Sequence, residues 1–375
     1  MPWQEVSTMS LRKEFVMLAS QESANISELC RRFGISRKTA YKWLGRFDEA
    51  GNEGLQDRSR RPHKSNNRTP EPVEQLALSI RDAHPAWGGR KIKRRLQDLG
   101  HEALPSVSTL TEILRRNGRL DMAEAAKHTA WQRFEHDAPN RLWQMDFKGH
   151  FAIDDGRCHP LTVLDDHSRY SLRLEACANQ QGDTVQTKLT GAFRRYGLPE
   201  RMTMDNGSPW GSDAEHPYTT LTVWLIRLGI RVSHSRPYHP QTQGKDERFH
   251  RTLDVEVLKG NVFHDLDHCQ RRFDEWRTVY NLERPHEAIG MTVPASRYRP
   301  SDRSFPETLP IIEYGPGDII RKVQAKGEIH YRGLVFKVGK AFHGYPVALR
   351  PASEDGTMQV YFCQQRIAQI DLRIS

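Results

Sequence analysis

Cysteine is scarce in this chain and isolated wherever it occurs. Cys30, Cys158, Cys177, Cys269 and Cys363 are the only five in 375 residues, and no two stand at the spacing of a CxxC pair. That excludes a zinc site or a disulfide framework and makes free thiols in a reducing cytoplasm the expected setting. Long apolar runs are missing too: no stretch approaches the roughly 20 residues of a membrane span. The opening MPWQEVSTMS has no basic start followed by an apolar run, so no secretory signal is expected. Hydrophobic residues at 37% and charged residues at 27% exclude a disordered chain, and 375 residues imply two to four domains.

Charge is present in quantity, and its location is informative. Residues 1–120 carry 22 Lys and Arg against 14 Asp and Glu, whereas the remaining 255 carry 34 against 33. The net charge of +9 therefore sits almost wholly in the N-terminal third, which points to a polyanionic partner there.

Local pattern supports that partner. Residues 11–49 read as three short helices. Ile26, Leu29 and Phe33 recur at helical spacing in the second, Gly34 supplies a tight turn, and Ser36 is placed to cap the third. The third helix, Arg37 to about Phe47, carries an apolar stripe of Ala40, Trp43 and Phe47. Its basic stripe is Lys38, Lys42 and Arg46, with Arg37 at the helix start. A solvated polar face would show the same stripe, but the turn before it favours a helix-turn-helix whose cations meet DNA. The expected organisation is a helix-turn-helix domain over 1–50 and a linker over 51–71, in which Arg58, Arg60, Arg61 and Lys64 either track a groove or only aid solubility. A second helical, helix-turn-helix-like unit over 72–120 contains the basic WGGRKIKRRLQDLG and the capped SVSTLTEILRRNG, and a linker over 121–139 follows.

From about residue 140 the texture changes. Strand-like runs at 143–153, 159–164 and 170–176 precede a helix at 183–196 and a short strand at 201–205. A helix near 219–228, a strand at 230–234 and helices near 245–258 and 265–280 complete a mixed α/β domain over 140–300. Short β-like runs around 318–323, 330–337, 345–350 and 358–362 make a small β-barrel the expectation for 310–375.

Three carboxylates stand out in the α/β segment. Strand alternation sets Asp146 opposite Trp143, Met145 and Phe147 in WQMDFKGHF. Asp205 ends RMTMD just before the turn pair Asn206-Gly207. Glu247 opens a helix whose apolar stripe is Phe249, Leu253 and Val257, and it shares the other side with Arg251 and Asp254. Acids gathered in one place repel unless cations neutralise them, and Mg²⁺ suits oxygen ligands of this kind. Spacing alone leaves Asp154, Asp155, Asp165, Asp166 and Asp246 as competitors. For Asp165-Asp166, in LDDHSRY, a turn between strands is the simplest account.

A family resemblance chooses among them. WQMDFKG, TVLDDHSRYSL, GLPERMTMDNGSPW, HSRPYHPQTQGKDERFHRTL and YNLERPHEAIGMTVPASRY, in that order, resemble the DDE transposases of bacterial insertion sequences, whose catalytic core is similar to retroviral integrase. The resemblance implies an RNase H-like core and Asp146, Asp205 and Glu247 as metal-binding catalytic residues. It also implies that Asn206 and Gly207 shape the loop beside Asp205, and that His239, Pro240, Gln241, Thr242 and Gly244 form a loop near the DNA. Two Mg²⁺, replaceable by Mn²⁺, are implied as cofactors, with double-stranded DNA as partner and a homodimer or higher oligomer on it. Lys148, Lys245, Arg248 and Arg251 are candidate phosphate contacts. Between Asp205 and Glu247 lie 41 residues, more than is commonest in that family, and SPWGSDAEHPYT can absorb the excess. The paired His and Cys of an integrase-type zinc module are absent, and helix-turn-helix units take their place.

The implied function is recognition of an element's terminal inverted repeats followed by metal-dependent cleavage and strand transfer. A DNA-binding regulator would leave the three acids unexplained, and a nuclease of the same fold would cut without joining. A degenerate, silent transposase would keep the same acids.

Overall fold

The computed structural model describes residues 7–58, 68–120, 135–211, 217–234 and 244–373. The chain divides into two compact units at Arg68/Thr69. Among the described residues no helix is long and apolar enough to cross a membrane. The expected linker residues Arg60, Arg61 and Lys64, and the loop residues His239, Pro240, Gln241 and Thr242, lie outside the described residues.

The first unit holds α1 (Thr8–Ala19), α2 (Ile26–Arg32) and α3 (Arg37–Gly54). Gly34 takes φ +63° in the turn between α2 and α3, a conformation that costs a residue with a Cβ. Ser36 caps α3 by accepting from Thr39 N at 3.1 Å. Phe15, Val16, Cys30, Ala40, Trp43 and Leu55 form the core. Leu55 explains why α3 outruns the expected end near Phe47. It is fully buried, and Arg12 secures it by donating to its carbonyl at 2.9 Å and pairing with Asp57 at 2.8 Å. The helix breaks its regular geometry at Ala50 and Gly51 to bring Leu55 inward.

The second unit begins with α4 (Glu71–Ala83), α5 (Gly89–Asp98) and α6 (Val107–Arg116). They close around Ala77, Trp87, Ile92, Leu96, Leu110, Ile113 and Leu114. Ser106 caps α6. A mixed sheet follows, built from β1 (Trp143–Phe147), β2 (Phe151–Ile153), β3 (Gly156–Asp165), β4 (Ser171–Cys177), β5 (Arg201–Met204) and β6 (Arg231–His234). Strand β3 pairs antiparallel with both β1 and β4, and β2 folds back on its first residues. Strands β1, β5 and β6 run parallel. The expected single run 143–153 is two strands because Gly149, at φ +98°, turns the chain between them.

Helices α7 (Gly182–Tyr196) and α8 (Thr220–Arg227) cover one face of the sheet. They bury Trp143, Met145, Leu161 and Val163 against Val185, Leu189, Phe193 and Leu225. Helix α9 (Gly244–Leu253), its π-helical continuation Asp254–Leu258 and α10 (Leu266–Leu282) cover the other face. There Leu164 and Leu174 meet Phe249, Leu253, Val257, Phe273 and Trp276. Each such fully buried side chain contributes about 1.5–3 kcal/mol. Strand alternation thus sends Trp143 and Met145 to the α7 side and leaves Asp146 facing α9.

The C-terminal segment forms two sheets where a barrel was expected. One joins β7 (Ile319–Lys322), β10 (Pro346–Pro351), β11 (Thr357–Phe362) and β12 (Gln365–Asp371), and the other is the hairpin of β8 (Glu328–Tyr331) and β9 (Leu334–Lys337). No strand pairing closes the first sheet on itself among the described residues. The expected run 330–337 folds as that hairpin because Arg332 (φ +53°) and Gly333 (φ +80°) make a turn with both central residues left-handed. Gln365 caps the open edge of β6. Its amide accepts from Val232 N at 3.0 Å and donates to Val232 O at 2.9 Å, so that edge has no free pairing groups at Val232.

Candidate active site

Register brings the first two acids side by side. Strands β1 and β5 pair Trp143 with Met202 and Gln144 with Thr203. Continuing that register by two residues sets Asp146 level with Asp205, on strands about 4.8 Å apart. Parity places both on the same face. Asp205 is held where β5 gives way to a turn: Gly207 N donates to its Oδ1 at 3.0 Å, and His234 Nδ1 donates to its carbonyl at 2.9 Å. A Cβ at Gly207 would stand 3.4 Å from Asp205 Oδ2, in ordinary van der Waals contact.

Helix α9 brings acids from the other side. Burial first, then the neighbouring charges of Asp205 and Glu247, together push the Asp146 carboxyl up to about 7 against a hydrogen bond from the Phe147 backbone. Asp205 and Glu247 are therefore both within electrostatic reach of Asp146. Glu247 itself is exposed on the first turn of α9. Among the described residues, no group of three or more Asp, Glu, His or Cys side chains is already gathered to hold one metal ion. The donor chemistry still fits a hard divalent cation, because the set is oxygen-only and its mutual repulsion is what a cation relieves.

Asp246, which the sequence pattern leaves as a competitor of Glu247, is a buried acid beside the site. It is 2% exposed, and its Oδ1 has no hydrogen-bond partner among the described residues. Burial raises its carboxyl well above the usual range, and the charges of Asp146 and Asp166 add to the effect. The signal was available: Asp246 precedes Phe249, Leu253 and Val257 at helical spacing, so it belongs to their buried stripe.

The expected phosphate contacts divide into two groups. Lys148 is paired with Asp254 at 2.9 Å, and Lys245 is paired with Asp166. Arg248 and Arg251 are exposed on α9. In the first unit, Arg37, Lys38 and Lys42 are exposed and Arg46 is half-buried. Lys42 and Arg46 lie over the Trp43 ring at 4.7 and 5.0 Å, so the apolar and basic stripes of α3 meet at that indole. Arg58 lies 3.6 Å from Glu49.

Asp165 and Asp166 do lie at a turn, but a buried one. Asp165 Oδ1 accepts from Ser168 N at 2.8 Å and its Oδ2 accepts from Asn140 N at 2.7 Å. Asp166 Oδ1 accepts from Gln144 Nε2 at 2.9 Å and its Oδ2 from His136 N at 3.0 Å. Two buried carboxylates with these donors fasten the turn to the residues before and within β1. Asp166 reaches the acid cluster only through its charge on Asp246.

Comparison with known proteins matches this architecture in segments. Residues 11–63 match the family described as helix-turn-helix domain and residues 39–114 the homeodomain-like domain. Residues 136–240 and 228–294 match two families each described as integrase core domain, and 318–375 match the IS481 family transposase, C-terminal domain. The chain thus carries a helix-turn-helix region, an integrase core and a transposase C-terminal domain. Insertion-element proteins are among its relatives. It is 29% identical over 238 residues to the insertion element IS476 uncharacterized 39.2 kDa protein of Xanthomonas euvesicatoria, covering 60% of this chain and 65% of that one. It is 27% identical over 158 residues to the insertion element IS407 uncharacterized 31.7 kDa protein of Burkholderia multivorans, covering 42% of this chain and 55% of that one. The match to the putative transposase for insertion sequence element IS5376 of Geobacillus stearothermophilus is 22% over 379 residues, covering 97% of this chain and 88% of that one. The chain spans less than two thirds of the length of the first two.

Proposed function

We propose that this chain is an insertion-element transposase that recognises the element's terminal inverted repeats and then cuts and joins DNA. The observation that carries the reading is the β1–β5 register that sets Asp146 level with Asp205 on one face, with Asp205 and Glu247 both adding like charge at the Asp146 carboxyl. A cluster in which acids raise one another is built for cations, and in an RNase H-like core those cations serve phosphodiester chemistry.

In this reading Asp146, Asp205 and Glu247 hold two Mg²⁺, with Mn²⁺ able to substitute. When bound, the ions supply activation of the attacking oxygen and stabilisation of the leaving one. The chain's own residues do the rest. The strand pair β1 and β5 presents two carboxylates on one face, and α9, packed on that face, brings the third. Arg248 and Arg251, exposed on the same helix, grip phosphates next to it. The first attack, by water, frees 3′-hydroxyls at the element ends; the second, by those hydroxyls, joins them to target DNA. No covalent protein intermediate is needed, so no nucleophilic Ser or Tyr is required.

The helix-turn-helix units supply repeat binding through Arg37, Lys38, Lys42 and Arg46, with Arg58, Arg60, Arg61 and Lys64 along the linker. Two element ends must meet, so the working form is a dimer or larger assembly on DNA. The C-terminal sheets serve assembly or target binding. A truncation ending at residue 309 should keep repeat binding and lose joining.

The test of the activity is strand transfer with Mg²⁺ on DNA carrying the element ends. Joined products from the natural chain, absent from Asp146→Asn and Asp205→Asn proteins that still bind the repeats, support the transposase reading. Nicks without joined products would instead make it a nuclease.

A further inference from the structure

Glu247 reaches the site from a helix, while Asp146 and Asp205 sit on adjacent strands, so its placement depends on what holds α9 to the sheet. Among the described residues, Lys148 holds the π-helical continuation through Asp254 at 2.9 Å, and two polar contacts hold α9 itself, at the helix start and five residues on. At the start, the Lys245 ammonium pairs with Asp166, whose carboxylate is 1% exposed. Further along, His250 Nε2 lies 2.9 Å from Thr162 Oγ1, and Thr162 Oγ1 donates to the carbonyl oxygen of Asp146 at 3.0 Å. Thr162 is fully buried and stands directly across β3 from Asp146.

Hydrogen-bond bookkeeping fixes the roles in that second contact. The Asp146 carbonyl can only accept, so the single hydroxyl proton of Thr162 goes to it. Oγ1 must then accept from His250, which sets the imidazole as the Nε2–H tautomer. Burial holds this ring neutral by lowering its pKa to about 4. At about 100° and 1.5 Å per residue, His250 is about 60° around the helix from Glu247 and about 4.5 Å along it.

We propose that Thr162 and His250 are positioning residues whose hydrogen-bonded chain fixes the helix bearing Glu247 against the strand bearing Asp146. This rests on the three-acid reading above. Thr162→Val keeps the side-chain shape but leaves the His250 N–H without its acceptor and removes the hydroxyl's bond to the Asp146 carbonyl. Thr162→Ser restores the hydroxyl.

The experiment uses the full chain without DNA and the Mn²⁺ ion alone as probe. Mn²⁺ affinity is read by electron paramagnetic resonance, and amide hydrogen exchange is followed across residues 244–253. Thr162→Val should remain folded, exchange faster in α9 and bind Mn²⁺ about tenfold more weakly, the usual scale for losing a partner behind the ligands. Thr162→Ser should restore both. Wild-type affinity in Thr162→Val, or weaker binding with unchanged exchange in α9, overturns the proposal. If Thr162→Val does not fold, His250→Asn takes its place in the same comparison. Failure of the underlying reading looks different: the natural chain itself would bind no Mn²⁺ that Asp146→Asn abolishes.

Discussion

Replacing Asp146 with Asn should make the metal-free protein more stable at pH 8, although it removes a residue placed at the centre of the chemistry. The carboxyl is raised from 3.8 to about 7 in the folded chain. Between those values the folded state holds a proton that the unfolded state has released, so stability falls as pH rises through that window. The slope is about 1.4 kcal/mol per pH unit, and the whole difference is on the order of 4 kcal/mol once pH exceeds 7. Asn carries no charge and escapes the loss. The assay is urea unfolding of both proteins in EDTA at pH 5, 6, 7 and 8, following the transition of the core. The stability difference in favour of Asp146→Asn should widen steadily from pH 5 to pH 7 and then level off. Saturating Mg²⁺ should shrink it by stabilising only the natural chain. A pH-independent difference would refute the argument, because it would mean Asp146 does not titrate in the presence of its neighbours' charge.

Other perturbations bear on separate parts of the molecule. Burial lowers the Lys91 ammonium on α5 to about 7, and the charge of Arg284 adds to the effect. The unfolded chain then binds more protons between pH 7 and 10.5, so stability gained from this group rises with pH across that window. Lys91→Met should be more stable than the natural chain at pH 7 and lose that advantage by pH 10.5; equal urea midpoints at pH 7 would contradict this. Alanine at Lys38 and Lys42, both exposed on α3, should weaken repeat binding and reduce the slope of log K against log salt by about 0.9 per lost phosphate contact. An unchanged slope would remove them from the DNA interface.

Local pattern carried the elements whose signal is local. The Gly34 turn, the Ser36 cap and the two stripes of α3 defined the first unit. Period-2 alternation placed Asp146 on the face away from Trp143 and Met145, where the sheet meets α9. What failed was long-range or lacked a turn residue. The end of α3 is set by Leu55 packing into a core that the linker-like composition around it conceals. Strand β12 follows a turn in which Cys363, with φ +51°, stands where Gly or Asn would announce it. The partners of Lys148 and Lys245 lie 106 and 79 residues away, beyond any window in which charge pairing can be read. Asp246 is the instructive miss, since the periodicity that defined the α9 stripe already included it. The choice of Asp146, Asp205 and Glu247 came from resemblance, because spacing did not separate them from their acidic neighbours.

The most direct test of the central claim compares Glu247→Gln with Asp246→Asn in Mg²⁺-dependent strand transfer on DNA carrying the element ends, alongside repeat binding. The account predicts that Glu247→Gln binds the repeats as the natural chain does and yields no joined product, while Asp246→Asn retains joining. Joining that survives Glu247→Gln and disappears with Asp246→Asn would contradict the assignment and move the third ligand to the buried neighbour.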